Sequence, residues 1–520
     1  MELVKKNIHF NRIAKEAHNQ ITLEEDVNMP DTKEDIEAIL FSNYRVIIEE
    51  VKAGDQKVHI RGKIMYSILY KSEETGRLCS MEGSIPFEEQ LYMENVSSAD
   101  KVMVRPQVED FSVGIINSRK ISIQSILELN AGVQQVYDEQ VTTAVEGVDC
   151  EVLQKECDFT QLAVCKKDIF RFRETISIPN NMPNVEELVW SDVRVQEMEY
   201  KPLDGQLSVQ GKVQVFVIYN GERESYNQMY QTTLPFSAMM ECSGSNMNMI
   251  SQISHDIVDS QLHLETDFDG EARSFGVELV FELDMKLYEA QKVGVLWDMY
   301  GINEEMTPMV NDINYNVLTM RQNGTIKVAD KMHISGMENA QAKILYGEGK
   351  SLLEKCEVTN EGILLNGMLT CQVFYLVGNE DNEYGSSQGM IPFSHTIELP
   401  AGMDASGMLT CNVELDCQQL QFNFDVDGNI EVKANISCDV MTFEKMTGRN
   451  ITKVEVKEMD MEKCNNLPSM AIYFTKPGDT LWEMGKKYCV PLRQIRDMNH
   501  LTSDELKAGE KVLIVRGMCS

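Results

Sequence analysis

One segment recurs three times along this chain, and the distance between its copies fixes the scale of the architecture. In each copy a Tyr stands eight residues after a Gly, within Val58–Tyr70, Leu207–Tyr219 and Ile363–Tyr375. A Pro-Phe pair follows each Gly by 24 or 25 residues, as Pro86-Phe87, Pro235-Phe236 and Pro392-Phe393. The copies lie about 150 residues apart, far more than a solenoid unit, so each copy is expected to be a whole domain.

Apolar and polar residues alternate around these landmarks, which is typical of half-buried β-strands. Before the Tyr of the second copy, the apolar series is Leu207, Val209, Val213, Val215 and Val217. Another alternating stretch closes the third copy at Ile430–Val440, directly after an Asp-Gly turn. We therefore predict three antiparallel β-sandwich or open-barrel domains, with the repeated Gly at a bulge or a close backbone contact.

Two local features are expected within this plan. In the first copy the alternation breaks within Ile121–Leu129, which predicts a β-bulge. Pro30 and Pro179 each lie 32 residues before the Gly of their copy. Short helices are predicted after these prolines, at Ile36–Leu40 and Val185–Val189.

Charge is distributed unevenly along the 520 residues, whose net charge is −34. Residues 466–520 carry eight Lys and Arg against six Asp and Glu, so this segment is +2 and the remainder −36. Because phosphate binding needs clustered Lys and Arg, the acidic body argues against a nucleic-acid partner. The N-terminus lacks the apolar core of a signal peptide, and no apolar run is long enough to span a membrane. The 13 scattered Cys favour a reduced, cytosolic compartment.

The C-terminal segment follows a different pattern, in which helical spacing replaces strict alternation. Thr480 and Glu483 have the spacing of a capping box, and Pro491 suits the first turn of a second helix. Strands are expected on either side, at Ala471–Thr475 and Lys511–Val515. We predict a small α+β domain of βααβ form.

This segment resembles the LysM motif, and the repeats resemble a second family. The LysM resemblance rests on Gly478-Asp479-Thr480-Leu481, Tyr488-Cys489-Val490, Leu492, Ile495, Asn499, Leu506, Gly509 and Ile514. Over about residues 25–460 the repeats resemble the SPOCS domain found in spore coat proteins. The predicted division is 1–155, 160–310 and 320–460 for three SPOCS-like domains, the first with an N-terminal extension, and 466–520 for a LysM domain.

The LysM resemblance implies a ligand groove between a turn and the loop after the second helix. Its residues would be Pro477, Gly478, Asp479, Thr480 and Trp482 on one side and Met498, Asn499, His500 and Leu501 on the other. The alternative is that Gly478, Thr480 and Asn499 only hold turns and helix caps. Trp482 is expected to face a partner, since Leu481 and Met484 already fill the inner face. Gly485 stands where the family often has Ala, which weakens the helix slightly.

The domain order as a whole resembles that of spore coat morphogenetic proteins of endospore-forming bacteria. This resemblance implies a non-enzymatic scaffold, made in the mother-cell cytoplasm and later located at the forespore surface and in the spore coat. Its LysM domain would dock to the coat morphogenetic ATPase, stage IV sporulation protein A, and other coat proteins are further candidate partners. The alternative is a cell-wall protein whose groove binds peptidoglycan through N-acetylglucosamine.

Neither interpretation calls for a cofactor, a metal or a catalytic residue. Gly349-Lys350-Ser351 resembles the end of a phosphate-binding loop, but Ile344 stands where that loop needs its first Gly. The eight His include no His-x-x-x-His pair, a spacing that zinc sites on helices use. The sequence therefore favours binding over catalysis.

Overall fold

The computed structural model describes the whole chain except residues 225–226, 267–268, 335–341, 379–382, 401–408, 460–467, 502, 505 and 517–520. The first repeat contains β1 (Glu2–Asn28), β2 (Ile36–Ala53), β3 (Lys57–Ser72), β4 (Leu78–Tyr92), β5 (Val102–Asn117) and β6 (Lys120–Glu146). The second contains β7 (Cys150–Ser177), β8 (Val185–Leu203), β9 (Gln206–Gly221), β10 (Asn227–Glu241), β11 (Ile250–Thr266) and β12 (Ala272–Gly301). The third contains β13 (Glu304–Met332), β14 (Ala342–Thr359), β15 (Gly362–Val377), β16 (Glu383–Ile397), β17 (Leu409–Phe424) and β18 (Ile430–Glu458). The C-terminal module contains β19 (Met470–Phe474), α1 (Leu481–Tyr488), α2 (Leu492–Asn499) and β20 (Lys511–Val515).

Each repeat is built from two three-stranded antiparallel sheets. One sheet is a meander of consecutive strands, β2-β3-β4, β8-β9-β10 or β14-β15-β16. In the other, the first strand of the repeat pairs with the last, giving the orders β1-β6-β5, β7-β12-β11 and β13-β18-β17. Inward residues of both sheets share one core; in the second repeat, Val209 and Val217 of the meander pack with Leu279 and Phe281 of the long-stranded sheet. The predicted mainly-β, repeated sandwich architecture is confirmed.

The register of the meander sheet explains the spacing between Gly and Pro-Phe. Each repeat Gly lies directly opposite the Phe of its own Pro-Phe pair: Gly62 with Phe87, Gly211 with Phe236, and Gly367 with Phe393. The Phe ring lies over the Gly, so a Cβ at Gly62 would stand 2.6 Å from Cζ of Phe87. Both features expected at the Gly are present: a Cβ at Gly62 or Gly367 would also meet a carbonyl oxygen of the strand opposite, and the register of that strand shifts beside the Gly in each repeat.

Two local expectations were wrong. Ile36–Leu40 and Val185–Val189 are not helices, since β2 and β8 begin at Ile36 and Val185 and both segments pair in the meander sheets. The expected bulge is not in Ile121–Leu129 itself, which pairs with β1 in unbroken register, but on β5, whose register shifts between Val108 and Asp110 opposite this segment. Alternation continues through Ser125, which is fully buried and donates a hydrogen bond to the Asp110 carbonyl at 3.1 Å.

The three repeats meet around a common axis at which equivalent residues touch. Phe41, Trp190 and Tyr346 each pair with the residue seven positions after the repeat Gly. Their ring centroids are 5.4 to 5.9 Å apart, within one cluster drawn from all three repeats. Phe10, Phe159 and Tyr315 form a second such cluster. Since equivalent aromatic residues of all three repeats meet in each cluster, the body resembles a trimer made from a single chain.

The predicted domain limits stay predictions, although the strand bounds bear on where the repeats begin. The first strands of the second and third repeats start at Cys150 and Glu304. The predicted start of the LysM domain, residue 466, lies outside the described residues. None of the helices in the described part of the chain has the length and apolar character needed to cross a membrane.

Candidate functional site: the LysM module and its contact with the second repeat

The C-terminal module folds around a small core between its two helices and a two-stranded sheet. Strands β19 and β20 pair antiparallel. Helix α1 opens with a complete capping box, in which Thr480 accepts from the Glu483 amide and Glu483 reaches back to the Thr480 amide. The buried apolar residues of the whole module are Leu481, Met484, Tyr488, Val490, Ile495, Val512 and Ile514. The predicted βααβ domain is confirmed, and the capping box is where the sequence placed it.

On the turn side of the expected groove, three of the five residues hold the turn and the helix cap. Gly478 has a φ of +94°, which favours glycine. The Asp479 carboxylate accepts a 2.7 Å hydrogen bond from the Lys476 amide, and this bond holds the pKa of Asp479 below its ordinary value. Thr480 is the helix cap. Pro477, Gly478 and Thr480 are exposed, so the outer surface of the turn is open to a partner.

On the loop side, one residue fastens the second helix to the sheet. The Asn499 side-chain amide donates to the carbonyls of Ile495 and Leu513, at 2.8 and 2.7 Å, and accepts from the Leu513 amide at 2.6 Å. Leu501 packs against the core of the module. Met498 and His500 are exposed. Asn499 therefore acts as a structural clamp, which leaves Met498 and His500 as the accessible part of this loop.

Trp482 occupies a different position from the one expected. Its ring nitrogen donates a 3.0 Å hydrogen bond to the Asp298 carboxylate of the second repeat. Lys486, one turn later on α1, donates to both oxygens of that carboxylate at 2.7 Å. The expectation that Trp482 faces an external partner does not fit this arrangement, because the acidic body supplies both a carboxylate and an aromatic neighbour for the indole.

That aromatic neighbour is Tyr300, and it also accounts for Gly485. The rings of Tyr300 and Trp482 meet edge to face with centroids 5.0 Å apart. The Tyr300 hydroxyl donates a 2.8 Å hydrogen bond to the Val490 carbonyl. A Cβ at Gly485 would collide with this hydroxyl. Gly therefore replaces the common Ala at the position where the second repeat approaches α1. We call the five residues of this contact the LysM seat: Asp298, Tyr300, Trp482, Gly485 and Lys486.

The electrostatics of the LysM seat favour attachment of the LysM domain to the second repeat at neutral pH. Burial alone would raise the pKa of the Asp298 carboxyl, but hydrogen bonds from Lys486 and Trp482 outweigh it and hold that pKa below its ordinary value. The carboxylate side chain is only 14% exposed. A charged Asp298 therefore has its partners in the module, and opening the seat would strip them away.

Asp298 and Tyr300 were not anticipated from the sequence. They lie in β12, 184 and 190 residues before their partners Trp482 and Val490, and only a fold that joins the second repeat to the module could pair them. The one sequence signal was Gly485, whose missing side chain marks a close approach.

A second dense polar cluster lies where the three repeats meet. The Arg194 guanidinium donates to Asp192 at 2.6 Å and to Glu348 of the third repeat. Tyr346 donates to Asp192 from its hydroxyl, and Asn43 of the first repeat donates to the same carboxylate at 2.7 Å. Its members line a cavity of about 1070 Å³. Each carboxylate is occupied by side chains of other repeats, so the cluster ties the repeats together. Among the described residues, no group of three or more His, Cys, Asp or Glu is arranged to hold a metal ion.

Comparisons with known proteins match this architecture. Residues 35–116, 184–265 and 342–427 match the family described as SipL, SPOCS domain, and residues 473–515 match the LysM domain. A 43-residue stretch is 35% identical to the uncharacterized protein YkzQ of Bacillus subtilis (strain 168), covering 8% of this chain and 57% of that protein. No solved structure matches.

SPOCS and LysM domains are binding and scaffold domains without catalytic function, and the SipL match connects the chain to sporulation. Each of the three SPOCS matches falls in one structural repeat, and the LysM match covers the C-terminal module. The chain is therefore a SipL-type protein, with three SPOCS domains followed by a C-terminal LysM domain.

Proposed function

We propose that this protein is a non-enzymatic scaffold of spore coat assembly, and that its LysM domain is the docking surface for a protein partner. The observation that carries this proposal is that one side of the LysM domain contacts the second repeat while another side is exposed. Trp482, Gly485 and Lys486 attach it to the second repeat, whereas Pro477, Gly478, Met498 and His500 stay exposed. A domain held firmly by one side and open on the other is suited to presenting a surface.

The partner we propose is the coat morphogenetic ATPase, stage IV sporulation protein A. Recruitment by that protein would take the scaffold from the mother-cell cytoplasm to the forespore surface and the spore coat. The charge difference supports a division between body and docking domain, because residues 466–520 are +2 while the rest is −36. An acidic body resists unspecific association, so contact is directed to the oppositely charged domain.

The test is a pull-down of the purified ATPase with the full chain and with a chain lacking Ala471–Ser520. We expect the truncated chain to keep its β body and to lose capture. Met498→Asp should weaken capture in the full chain, since Met498 is 39% exposed on the loop. Val426→Asp is the matched control, because Val426 is 89% exposed in a turn of the third repeat. Unchanged capture by the truncated chain would overturn the proposal.

The LysM match also supports a second candidate, binding of peptidoglycan through N-acetylglucosamine. Its surface would be the same exposed turn and loop. Purified peptidoglycan incubated with the full chain distinguishes the two candidates. Retention that Met498→Asp weakens would favour the glycan, whereas no retention alongside capture of the ATPase would favour the protein partner.

A further inference from the structure

Another cavity, of about 540 Å³, lies where the long-stranded sheets of the three repeats meet. In each repeat, the register between the first and last strands shifts once in this region. Counted from that shift, equivalent residues of all three repeats line the cavity in two sets: Asn11, Thr160 and Asn316, and Gln134, Tyr288 and Phe443. The cavity therefore lies on the common axis of the repeats.

Two cations in the lining, Lys286 and Arg105, break this threefold pattern. At the position of Lys286 the other repeats carry residues without charge, Gly132 and Met441. At the position of Arg105 they carry Ser254 and Glu414. The cavity is thus built by threefold equivalent strands but has its positive charge at two positions that are not equivalent.

These two cations lack a direct partner. Within the part of the chain that the structure describes, neither the Lys286 nor the Arg105 side chain forms a hydrogen bond or an ion pair. Burial lowers the pKa of Lys286, and Arg105 adds to this effect, while Asp284 and Glu414 act against it without forming an ion pair. A charge that leaves water without a partner costs free energy, so an anion beside the two cations would be stabilising.

The remaining charges of the lining do not cancel this excess. Arg12 is already engaged, since its guanidinium donates to Gln135 and lies 4.8 Å from the centre of the Tyr137 ring. Glu16 is the carboxylate among the described lining residues, and it is exposed. With three cations against this one carboxylate, the lining is +2, although the body outside residues 466–520 is −36. A local reversal of charge in an acidic protein favours an anionic ligand.

The wall of the cavity adds an aromatic surface and amide donors. The Tyr288 hydroxyl accepts a hydrogen bond from the Asn11 amide and donates one to the side-chain oxygen of Gln252, both at 3.2 Å. The Gln252 oxygen is thereby used, whereas its NH2 group has no partner among the described residues. Tyr288 and Phe443 are buried, and their rings meet edge to face with centroids 5.7 Å apart. An apolar wall with a few polar groups is typical of small-molecule sites.

We propose that this cavity binds a small organic anion, whose carboxylate or phosphate group lies between Arg105 and Lys286 and whose apolar part lies against Tyr288 and Phe443. The planar guanidinium of Arg105 is suited to holding two oxygens of such a group, and the Lys286 ammonium supplies a point charge. Arg105 is exposed and Lys286 is half-buried, so the anion can enter from solvent past Arg105. The site is separate from the LysM domain and does not depend on the function proposed for it.

The experiment titrates the full-length protein with benzoate, phenyl phosphate and benzamide at neutral pH and constant ionic strength. Ligand-observed NMR gives the Kd of each probe. Benzamide is the neutral counterpart of benzoate, and since hydrogen bonds between charged groups are lost with it, it should bind roughly tenfold more weakly or worse. Saturable binding of benzoate or of phenyl phosphate supports the site, and the tighter of the two identifies its acidic group.

Two substitutions borrow the residues of the equivalent positions, Lys286→Met and Arg105→Ser. Each should raise the Kd of the anionic probe roughly tenfold or more. Lys292→Met is the matched control, because Lys292 is on the same strand with a side chain that is 73% exposed and lies outside the lining. Its Kd should stay unchanged.

A second measurement locates the probe without any change to the cations. Met103 lines the cavity, and its methyl NMR signal, assigned with Met103→Leu, should shift on addition of the anionic probe. The signal of Met309, which is exposed on the third repeat, should not. The proposal is overturned if benzamide binds as tightly as benzoate, if neither anion binds, or if Lys292→Met weakens binding as much as Lys286→Met. An unchanged Met103 signal at saturation would overturn it equally.

Discussion

Tyr300 of the second repeat donates its hydroxyl hydrogen to the Val490 carbonyl of the LysM domain, with 2.8 Å between the two oxygens. The hydroxyl reaches this carbonyl by passing over Gly485, where a Cβ would obstruct it. The attachment of the domain thus depends on an absent side chain as much as on a present one.

Gly485→Ala should loosen the LysM domain even though it improves the helix. In an unobstructed helix Ala is favoured over Gly by about 0.5–1 kcal/mol. Here the new methyl group meets Tyr300 and lies 2.8 Å from Cδ2 of Leu492, so we expect a net loss of roughly 1–3 kcal/mol from overpacking. Hydrogen exchange across α1 in the full chain measures the effect. Adding Tyr300→Phe should recover part of the protection, and slower exchange in the single variant would contradict this account.

Asp298→Ala should release the same domain from the side of the body. It removes the acceptor for Trp482 and Lys486, and hydrogen bonds to charged groups contribute about 1.5–3 kcal/mol each. We expect faster hydrogen exchange in α1 and in the last residues of β12. Asp504→Ala is the control, because its ion pair with Arg496 lies within the LysM domain and is well exposed. Equal effects of the two variants would mean that the LysM seat contributes nothing special.

Arg194→Leu should destabilise the junction of the three repeats. The substitution removes the cation of Asp192 and leaves Glu348 with Lys350 alone, at 3.8 Å; the two carboxylate side chains are 5% and 8% exposed. Breaking a buried pair in this way costs roughly 3–5 kcal/mol. Arg321→Leu removes a pair with Asp439 in which both side chains are 29% exposed, and less than about 1 kcal/mol is expected. Urea unfolding of both variants tests the difference, and similar midpoints would contradict it.

Lowering the pH should reduce the free energy of unfolding through His255. Burial lowers the pKa of this imidazole from its ordinary value of 6.5, against the raising effect of Asp256. Above pH 6.5 the His255 imidazole is neutral in both the folded and the unfolded chain. Below pH 6.5 it takes up a proton in the unfolded chain but stays neutral in the folded chain. The free energy of unfolding should therefore drop between pH 7.5 and pH 5.5. In His255→Gln the drop measured by urea unfolding should be smaller; an identical drop would assign the effect to other groups.

The fold was predictable where the signal lay within one repeat. Gly62 and Phe87 are 25 residues apart, and a spacing of 25 or 26 residues in all three copies marked the repeat, although only the register shows that the two residues pair across strands. The helices predicted after Pro30 and Pro179 were wrong, because the apolar residues of these segments do not form one face of a helix. Phe41 and Trp190 directly follow these segments and pack against the other repeats, and no local sequence pattern reports such a contact.

The candidate site divided along the same line. Thr480 and Asn499 were open between a binding and a structural role, and their hydrogen bonds within the LysM domain fit the structural one. The position of Trp482 could not follow from its own helix, because Leu481 and Met484 determine only which face is inward. What lies against the outward face is decided by Asp298 and Tyr300 in another domain.

The LysM seat also limits how many partners the scaffold can engage. The last strand of each repeat has a register shift near its end, at Thr143, Trp297 and Thr452. One residue later the first and third repeats carry Ala144 and Lys453 in place of Asp298, and two residues further they carry Glu146 and Glu455 in place of Tyr300. A body with nearly threefold form therefore accepts its docking domain at one position only. Under the function proposed above, each molecule would engage the partner of its LysM domain once, so avidity would have to come from a partner array that offers many binding sites.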